Sequence, residues 1–128
     1  MSRALADTSV FIALEGGRRI DPAALPEELV VSVITIGELR AGVLVAETVE
    51  ARDRRLGTLT AALQLDPVPV DEGVAAAWAR LRVLLRDSQQ RMPVNDSWIA
   101  ATAMALGVPV VSQDDDFPVV EGLSVARV

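Results

Sequence analysis

Short, uniformly apolar runs alternate along the chain with longer segments in which apolar residues recur every three or four positions. The runs at residues 29–33 (LVVSV) and 108–112 (VPVVS) are rich in valine and lack the polar alternation of a half-exposed strand. Such runs are typical of parallel strands buried on both faces, and residues 29–33 are predicted to be a central strand. Further short strands are predicted at residues 3–7, 66–70, where two prolines weaken the pattern, and 123–127.

Helical periodicity fills the segments between these runs. Strands that alternate with helices indicate a parallel sheet covered on both faces, so we predict an α/β fold with three layers and a central parallel sheet. No linker or repeat divides the 128 residues, and the whole chain, 1–128, is expected to form one domain. The predicted helices span residues 9–15, 35 to about 47, 48–63, 71–89 and 96–106, the last closed by Gly107.

The composition excludes several kinds of chemistry. The chain has no Cys, His, Tyr or Lys, so disulfides, thiolate or imidazole metal sites, Ser-His-Asp triads and lysine-dependent phosphate loops are all absent. The longest apolar run, residues 29–37, is too short to cross a bilayer, and Asp7 interrupts the N-terminal segment before a secretory signal can develop. A soluble cytoplasmic protein with no membrane partner is expected.

The net charge of −6 comes from 18 acidic residues and 12 arginines. Phosphate binding favours a basic surface, so this charge by itself argues against a nucleic-acid partner. The argument weakens if several carboxylates gather in one pocket where a metal ion neutralises them.

Two aspartates follow predicted strands. Asp7 ends the first strand, and Asp114 opens the run of three aspartates that follows residues 108–112. Because ligands of open parallel sheets bind beyond the carboxyl ends of the strands, both side chains are expected at one edge. The alternative for Asp7 is that it only caps the next helix.

Two further acids have apolar neighbours on their predicted helices. The residues at positions i−4, i+3, i+4 and i+7 from Glu38 are all apolar, as are those on the face of Asp96. For Glu38 the alternative is a buried ion pair with an arginine such as Arg40. For Asp96 it is a place at the N-cap or in the first turn, and Asn95 could equally cap that helix.

Gathering these four acids requires a cation. Two unit charges 4 Å apart repel by about 4 kcal/mol at an effective dielectric constant of 20. Hard carboxylate oxygens suit Mg²⁺ or Mn²⁺ rather than zinc, so a divalent ion is the expected counter-charge. In the triple aspartate, Asp114 is expected to point toward the ion, with Asp116 as a further candidate, and Asp115 away from it.

Three segments together resemble the motifs of PIN-domain ribonucleases, specifically VapC-type toxins: "ADTSVFIAL", "TIGELRAGV" and "NDSWIAATAMALGVPVVSQDDDF". The resemblance implies a PIN-like fold with a catalytic acidic pocket of Asp7, Glu38, Asp96 and Asp114. Asp7, Asp96 and Asp114 are the predicted metal ligands, and Glu38 and Asp116 are additional candidates. The supporting hydroxyls implied by matching position are those of Ser9 and Ser112.

The same resemblance implies an Mg²⁺- or Mn²⁺-dependent endoribonuclease in which activated water cleaves RNA and leaves a 5′-phosphate. It also implies a homodimer and inhibition by a cognate VapB-like antitoxin. Arg18, Arg19 and Arg91 are candidate RNA contacts, with ordinary surface positions as the alternative. A receiver domain or a haloacid-dehalogenase-type phosphatase would need a lysine, which the chain lacks. A PIN-like scaffold that binds RNA or a protein without catalysis is the remaining alternative.

Overall fold

The computed structural model describes residues 3–115 and 117–128. No helix in these two ranges is both long and apolar enough to span a membrane. The strands are β1 (Arg3–Ala6), β2 (Glu28–Val30), β3 (Val110–Ser112) and β4 (Val125–Arg127), and the helices are α1 (Thr8–Glu15), α2 (Val33–Leu44), α3 (Val49–Leu63), α4 (Glu72–Asp87) and α5 (Val94–Leu106).

The four strands form one parallel sheet in the order β2-β1-β3-β4. Leu5 lies between Val30 of β2 and Val110 of β3 in the register. The chain adds β2 on one side of β1 and returns to add β3 on the other side. A change of direction of this kind leaves a crevice beyond the carboxyl ends of the two strands, here β1 and β3, where ligands of open α/β sheets bind.

Alternating side chains of β1 face the two halves of the core. Ala4 and Ala6 pack with residues of α1, α2 and α3, whereas Leu5 packs with Ile99 and Ala103 of α5. Helix α4 lies outside α5 and contacts it through its buried apolar stripe, in which Leu81 is fully buried. The predicted three-layer α/β arrangement with helices on both faces is therefore confirmed.

The prediction of a central strand at residues 29–33 was wrong in position and length. Strand β2 is the outer strand next to β1, and it ends at Val30. The run stops there because Ser32 caps α2, its hydroxyl accepting a hydrogen bond from the backbone N–H of Ile34 at 3.0 Å.

The strand predicted at residues 66–70 is reduced to a single bridge between Ser32 and Val68. The Val68 N–H donates to the carbonyl of Val31 at 2.8 Å, and its carbonyl accepts from Val33 at 3.0 Å. Proline has no N–H to donate to a ladder, so Pro67 and Pro69 prevent the bridge from extending.

The helix boundaries follow their capping residues. Thr48 and Asp71 cap α3 and α4 through their side chains, and Gly107 ends α5 with φ of +69°, as its predicted closing role requires. Helix α5 begins at Val94, two residues before the predicted start, and no side chain caps it. The N-cap alternatives for Asn95 and Asp96 are therefore wrong, whereas the first-turn alternative for Asp96 is observed.

Candidate active site

Asp7 occupies the end of β1 and caps α1. Its Oδ1 accepts hydrogen bonds from the backbone N–H of Ser9 at 3.1 Å and from the Ser9 hydroxyl. Its Oδ2 accepts from the hydroxyl of Ser112, at the end of β3, at 2.8 Å. Asp7 does cap α1, but a capping aspartate is ordinarily exposed, and Asp7 is only 3% exposed. Burial makes this carboxylate more than a cap.

The buried position changes the acidity of Asp7. Burial raises the pKa of its carboxyl above the ordinary value of 3.8, the hydrogen bonds from Ser9 and Ser112 lower it, and the negative charge of Asp114 raises it further. The net direction is upward. A cation beside Asp7 would oppose both of the effects that raise its pKa, burial and the charge of Asp114.

The segment after β3 is tied to Asp7 by two hydroxyls. The Asp114 N–H donates to the Ser112 hydroxyl at 2.9 Å, and the Gln113 N–H donates to the Ser9 hydroxyl at 2.9 Å. These bonds hold the start of the triple aspartate close to the β1–α1 turn, so the structure brings Asp7 and Asp114 together at one edge. Ser9 and Ser112 thus hydrogen-bond both oxygens of the Asp7 carboxylate, and their supporting role in catalysis stays a prediction.

The other two members of the triple aspartate differ from Asp114. Asp115 forms a two-pronged ion pair with Arg127 of β4, with Nη1 at 2.8 and 2.7 Å from its two carboxylate oxygens. Asp115 is therefore paired with an arginine, away from Asp7. Asp116, a further predicted ligand, lies outside the described residues.

Glu38 lies on α2, half-buried, and faces the start of α1. Its Oε1 accepts a hydrogen bond from the Thr8 hydroxyl at 2.7 Å, and that hydroxyl lies 3.0 Å from the hydroxyl of Thr35. Among residues 3–115 and 117–128, no ion pair joins Glu38 to Arg40 or to another arginine, so the ion-pair alternative is not observed.

Thr8 and Thr35 belong to the hydrogen-bonded group around Glu38, and sequence reasoning missed both. Thr8 follows Asp7 directly and connects it, through one side chain, to the carboxylate of Glu38. Thr35 is fully buried one turn before Glu38. The only signal in the sequence was a hydroxyl residue beside each acid, and that pattern also fits ordinary helix capping.

Asp96 is in the first turn of α5, half-buried, above the buried residues Ile99, Ala100 and Ala103. Because α5 leads into the parallel strand β3, its first turn lies at the carboxyl edge of the sheet, where Asp7 is also found. The predicted apolar surroundings of Asp96 are confirmed.

The four acids share this edge but do not form one compact ligand set. Within the two described ranges, no group of three or more acidic side chains lies close enough together to hold a metal ion. Asp114 lies close enough to Asp7 for its charge to raise the pKa of Asp7, and Glu38 is hydrogen-bonded to Thr8, the residue after Asp7. Asp96 lies on the same edge. All available donors are oxygens, and the chain has no Cys or His, so the donor set fits Mg²⁺ or Mn²⁺ and not zinc.

The predicted RNA contacts lie at opposite ends of the fold. Arg18 and Arg19 follow the C-terminus of α1, whose eight residues carry the chain about 12 Å away from Asp7 at ~1.5 Å per residue. Arg91 lies exposed in the connection between α4 and α5, before Asp96 and at the same edge. All three remain predictions, and the placement favours Arg91.

Comparison with known proteins gives a consistent result. Residues 4–123 match the PIN domain family. The chain is 48% identical over 127 residues to ribonuclease VapC4 of Mycobacterium tuberculosis, covering 98% of this chain and 97% of that protein. It is 47% identical over 116 residues to ribonuclease VapC5 of the same organism, covering 91% and 86%.

Solved structures resemble the fold over its whole length. A crystal structure of a member of the VapBC family of toxin-antitoxin systems, VapBC-5 from Mycobacterium tuberculosis, aligns with a TM-score of 0.91 and 40% identity over all of both chains. FitAcB from Neisseria gonorrhoeae aligns with a TM-score of 0.72 and 26% identity over 95% of each chain.

Proposed function

This chain belongs to the PIN-domain family, among its VapC-type members, and from that membership we propose that it is a metal-dependent endoribonuclease toxin inhibited by a cognate VapB-like antitoxin. The observation that carries the proposal is the buried Asp7 carboxylate, which shares the crevice beyond β1 and β3 with Asp114. Near full-length similarity to two proteins named ribonucleases supports the same activity.

The acids at the sheet edge are the proposed metal site. Asp7, Asp96 and Asp114 are the proposed ligands of Mg²⁺ or Mn²⁺, directly or through water, and Glu38 and Asp116 are further candidates. When bound, such an ion acidifies water and offsets the negative charge that develops on a phosphoryl group. A buried carboxylate whose pKa is raised by burial and by Asp114 is the group that would gain most from a cation.

The residues around the acids then position the reaction. Ser9 and Ser112 fix both oxygens of Asp7, and Thr8 fixes one oxygen of Glu38. Glu38 thereby keeps its second oxygen available to bind the ion or to orient the attacking water. Water adds to phosphorus in line with the 3′-oxygen, the P–O3′ bond breaks, and the products are a 5′-phosphate and a 3′-hydroxyl.

Exposed apolar side chains support the proposed protein partners. Within residues 39–46, Leu39 and Ala46 are buried, whereas Leu44 and Val45 are 76% and 70% exposed. Val49, at the start of α3, is 77% exposed. An exposed cluster of this kind favours a protein interface. We propose that such surfaces serve the antitoxin and a homodimer.

The chemistry of the RNA ends tests this function. Wild-type protein with Mg²⁺ or Mn²⁺ is expected to cleave an internal bond of a single-stranded RNA and to leave 5′-phosphate and 3′-hydroxyl ends, because water and not the ribose 2′-hydroxyl is the nucleophile. The measurement is mass spectrometry of the fragments. Fragments that end in a 2′,3′-cyclic phosphate would contradict the mechanism, and intact RNA bound without turnover would favour the scaffold alternative.

A further inference from the structure

We propose that a basic pocket at the C-terminal end of α4 binds a backbone phosphate of the substrate RNA next to the acidic site. This inference rests on the proposed ribonuclease function and assigns part of its substrate binding. The pocket has a volume of about 310 Å³. It is lined by the arginines Arg82, Arg86 and Arg91, by Gln90, and by the apolar side chains of Leu85 and Met92.

The positive charge of this pocket is largely uncompensated. Three of the 12 arginines of a chain with net charge −6 line it. Within the part of the chain that the structure describes, only Arg86 of the three has a carboxylate partner, the adjacent Asp87 at 3.2 Å, and this pair is solvent-exposed and therefore weak. Among the residues that the structure describes, Arg82 and Arg91 form no ion pair.

One of the three arginines is held in place by aromatic stacking. The guanidinium carbon of Arg82 lies 5.5 Å from the centroid of the Trp78 ring. That ring in turn stacks on Trp98, with centroids 4.5 Å apart and planes 5° from parallel, and its Nε1 donates to the Ser97 hydroxyl at 3.0 Å. Arg82 is thus partly ordered before any ligand arrives, which lowers the entropy lost on binding.

The pocket includes residues of the connection from α4 to α5, which leads into the turn that carries Asp96 and contacts the segment that follows Asp114. Arg91 belongs to the connection from α4 to α5, and Asp96 is in the first turn of α5. On the other side, Gln90 donates a hydrogen bond through Nε2 to the carbonyl of Val119, in the segment that follows Asp114. A strand of RNA whose scissile phosphate is at the acidic edge can therefore place a neighbouring phosphate in this pocket.

A purely structural explanation accounts for only part of the cluster. Cations near a helix C-terminus interact favourably with the helix dipole, but the effect is confined to the last turn. Only Arg86 is in the last turn of α4, because Arg82 lies more than one turn earlier and Arg91 lies beyond the helix end. The planar guanidinium groups suit a phosphate, which they can bind through two hydrogen bonds.

The test is steady-state cleavage of a fluorescent RNA by wild type, Arg86→Gln/Arg91→Gln and the matched control Arg54→Gln/Arg80→Gln. The control removes two exposed arginines that form no ion pair within the described residues and do not line this pocket. In the pocket variant we expect KM to rise about tenfold with kcat within about twofold. The slope of log affinity against log salt should become shallower by about 0.7, the value for one phosphate that the protein no longer neutralises.

The possible results distinguish a wrong pocket assignment from a wrong ribonuclease function. If the Gln variant raises KM as expected, the control changes neither KM nor the salt slope, and Arg86→Lys/Arg91→Lys keeps the wild-type salt slope because its charge is retained, the assignment holds. If wild type cleaves RNA but the Gln variant keeps its KM and salt slope, the pocket assignment is overturned and the ribonuclease is not. Weaker antitoxin binding with unchanged KM would assign the pocket to an acidic protein segment instead. If wild type neither binds nor cleaves RNA, the proposed function itself fails.

Discussion

The Asp7→Asn variant is expected to lose RNA cleavage by on the order of a thousandfold and yet to melt at a higher temperature than wild type at pH 7 in metal-free buffer. The loss of activity follows if Asp7 binds an ion that contributes several kcal/mol of transition-state stabilisation, since each ~1.4 kcal/mol corresponds to a factor of ten. The gain in stability follows from removing a buried charge, because the Asn oxygen can still accept from Ser9 and its Nδ2 can donate to the Ser112 hydroxyl, which then acts as the acceptor.

The pH dependence of this stability difference has a defined sign. The pKa of Asp7 is raised above 3.8 by burial, so between 3.8 and the raised value the folded protein binds more protons than the unfolded chain. Wild-type stability therefore falls as pH rises through that window, relative to the variant. Below the ordinary pKa both side chains are neutral and the difference vanishes. Above the raised pKa the stability difference reaches its full value. We expect a difference in melting temperature of a few °C, the shift that about 1 kcal/mol produces in a small domain.

The measurements are cleavage rates and thermal melts between pH 3 and pH 8, with Asp53→Asn as the matched control because Asp53 is exposed on α3. Added Mg²⁺ should raise the melting temperature of wild type and not of Asp7→Asn. A variant that cleaves RNA as fast as wild type would contradict the assigned site. A variant less stable than wild type at pH 7 would contradict the stated balance of burial and hydrogen bonding.

The Ser112→Ala variant is expected to lower both stability and activity. The Ser112 hydroxyl is fully buried, donates to Oδ2 of Asp7 and accepts from the N–H of Asp114. Its removal leaves buried polar groups with fewer partners, at a cost of about 1–3 kcal/mol. It also removes a bond that lowers the pKa of Asp7, so that pKa should rise further. Cleavage is expected to fall about 10- to 100-fold, as for other groups that orient metal ligands.

Urea unfolding and the pH profile of kcat/KM test this expectation, with Ser124→Ala, an exposed serine before β4, as the control. Because ionised Asp7 is required, the acid limb of the profile should move to higher pH in Ser112→Ala. An unmoved acid limb together with wild-type stability would show that the hydroxyl does not support Asp7.

The fold was predictable where burial dominates. The valine-rich run at residues 108–112 became β3, and the amphipathic stripe at residues 71–89 became α4 with Asp71 as its cap. The prediction failed where local backbone chemistry decides. At residues 29–33 the Ser32 cap turned part of an apolar run into the start of a helix, and at 66–70 two prolines limited a strand to one bridge.

The candidate site was predictable from the type and position of its acids and not from its geometry. An aspartate at a strand end and a glutamate on an apolar helix face are visible in the sequence, as Asp7 and Glu38 show. The burial and hydrogen bonding of Asp7 were not visible, because they depend on the packing of distant parts of the chain; Ser112, which donates to Asp7, is 105 positions away. The bond between Thr8 and Glu38 likewise joins residues 30 positions apart.

The most direct test of the metal-dependent site is cleavage of one fluorescent RNA by wild type and Asp96→Asn, each with Mg²⁺, Mn²⁺ or EDTA. The proposed site predicts cleavage by wild type with either ion, none with EDTA, and a loss on the order of a hundredfold or more in Asp96→Asn with both ions. Cleavage that persists in EDTA, or that is equal in the two proteins, would contradict the role of Asp96 and its neighbouring acids as a metal-dependent catalytic site.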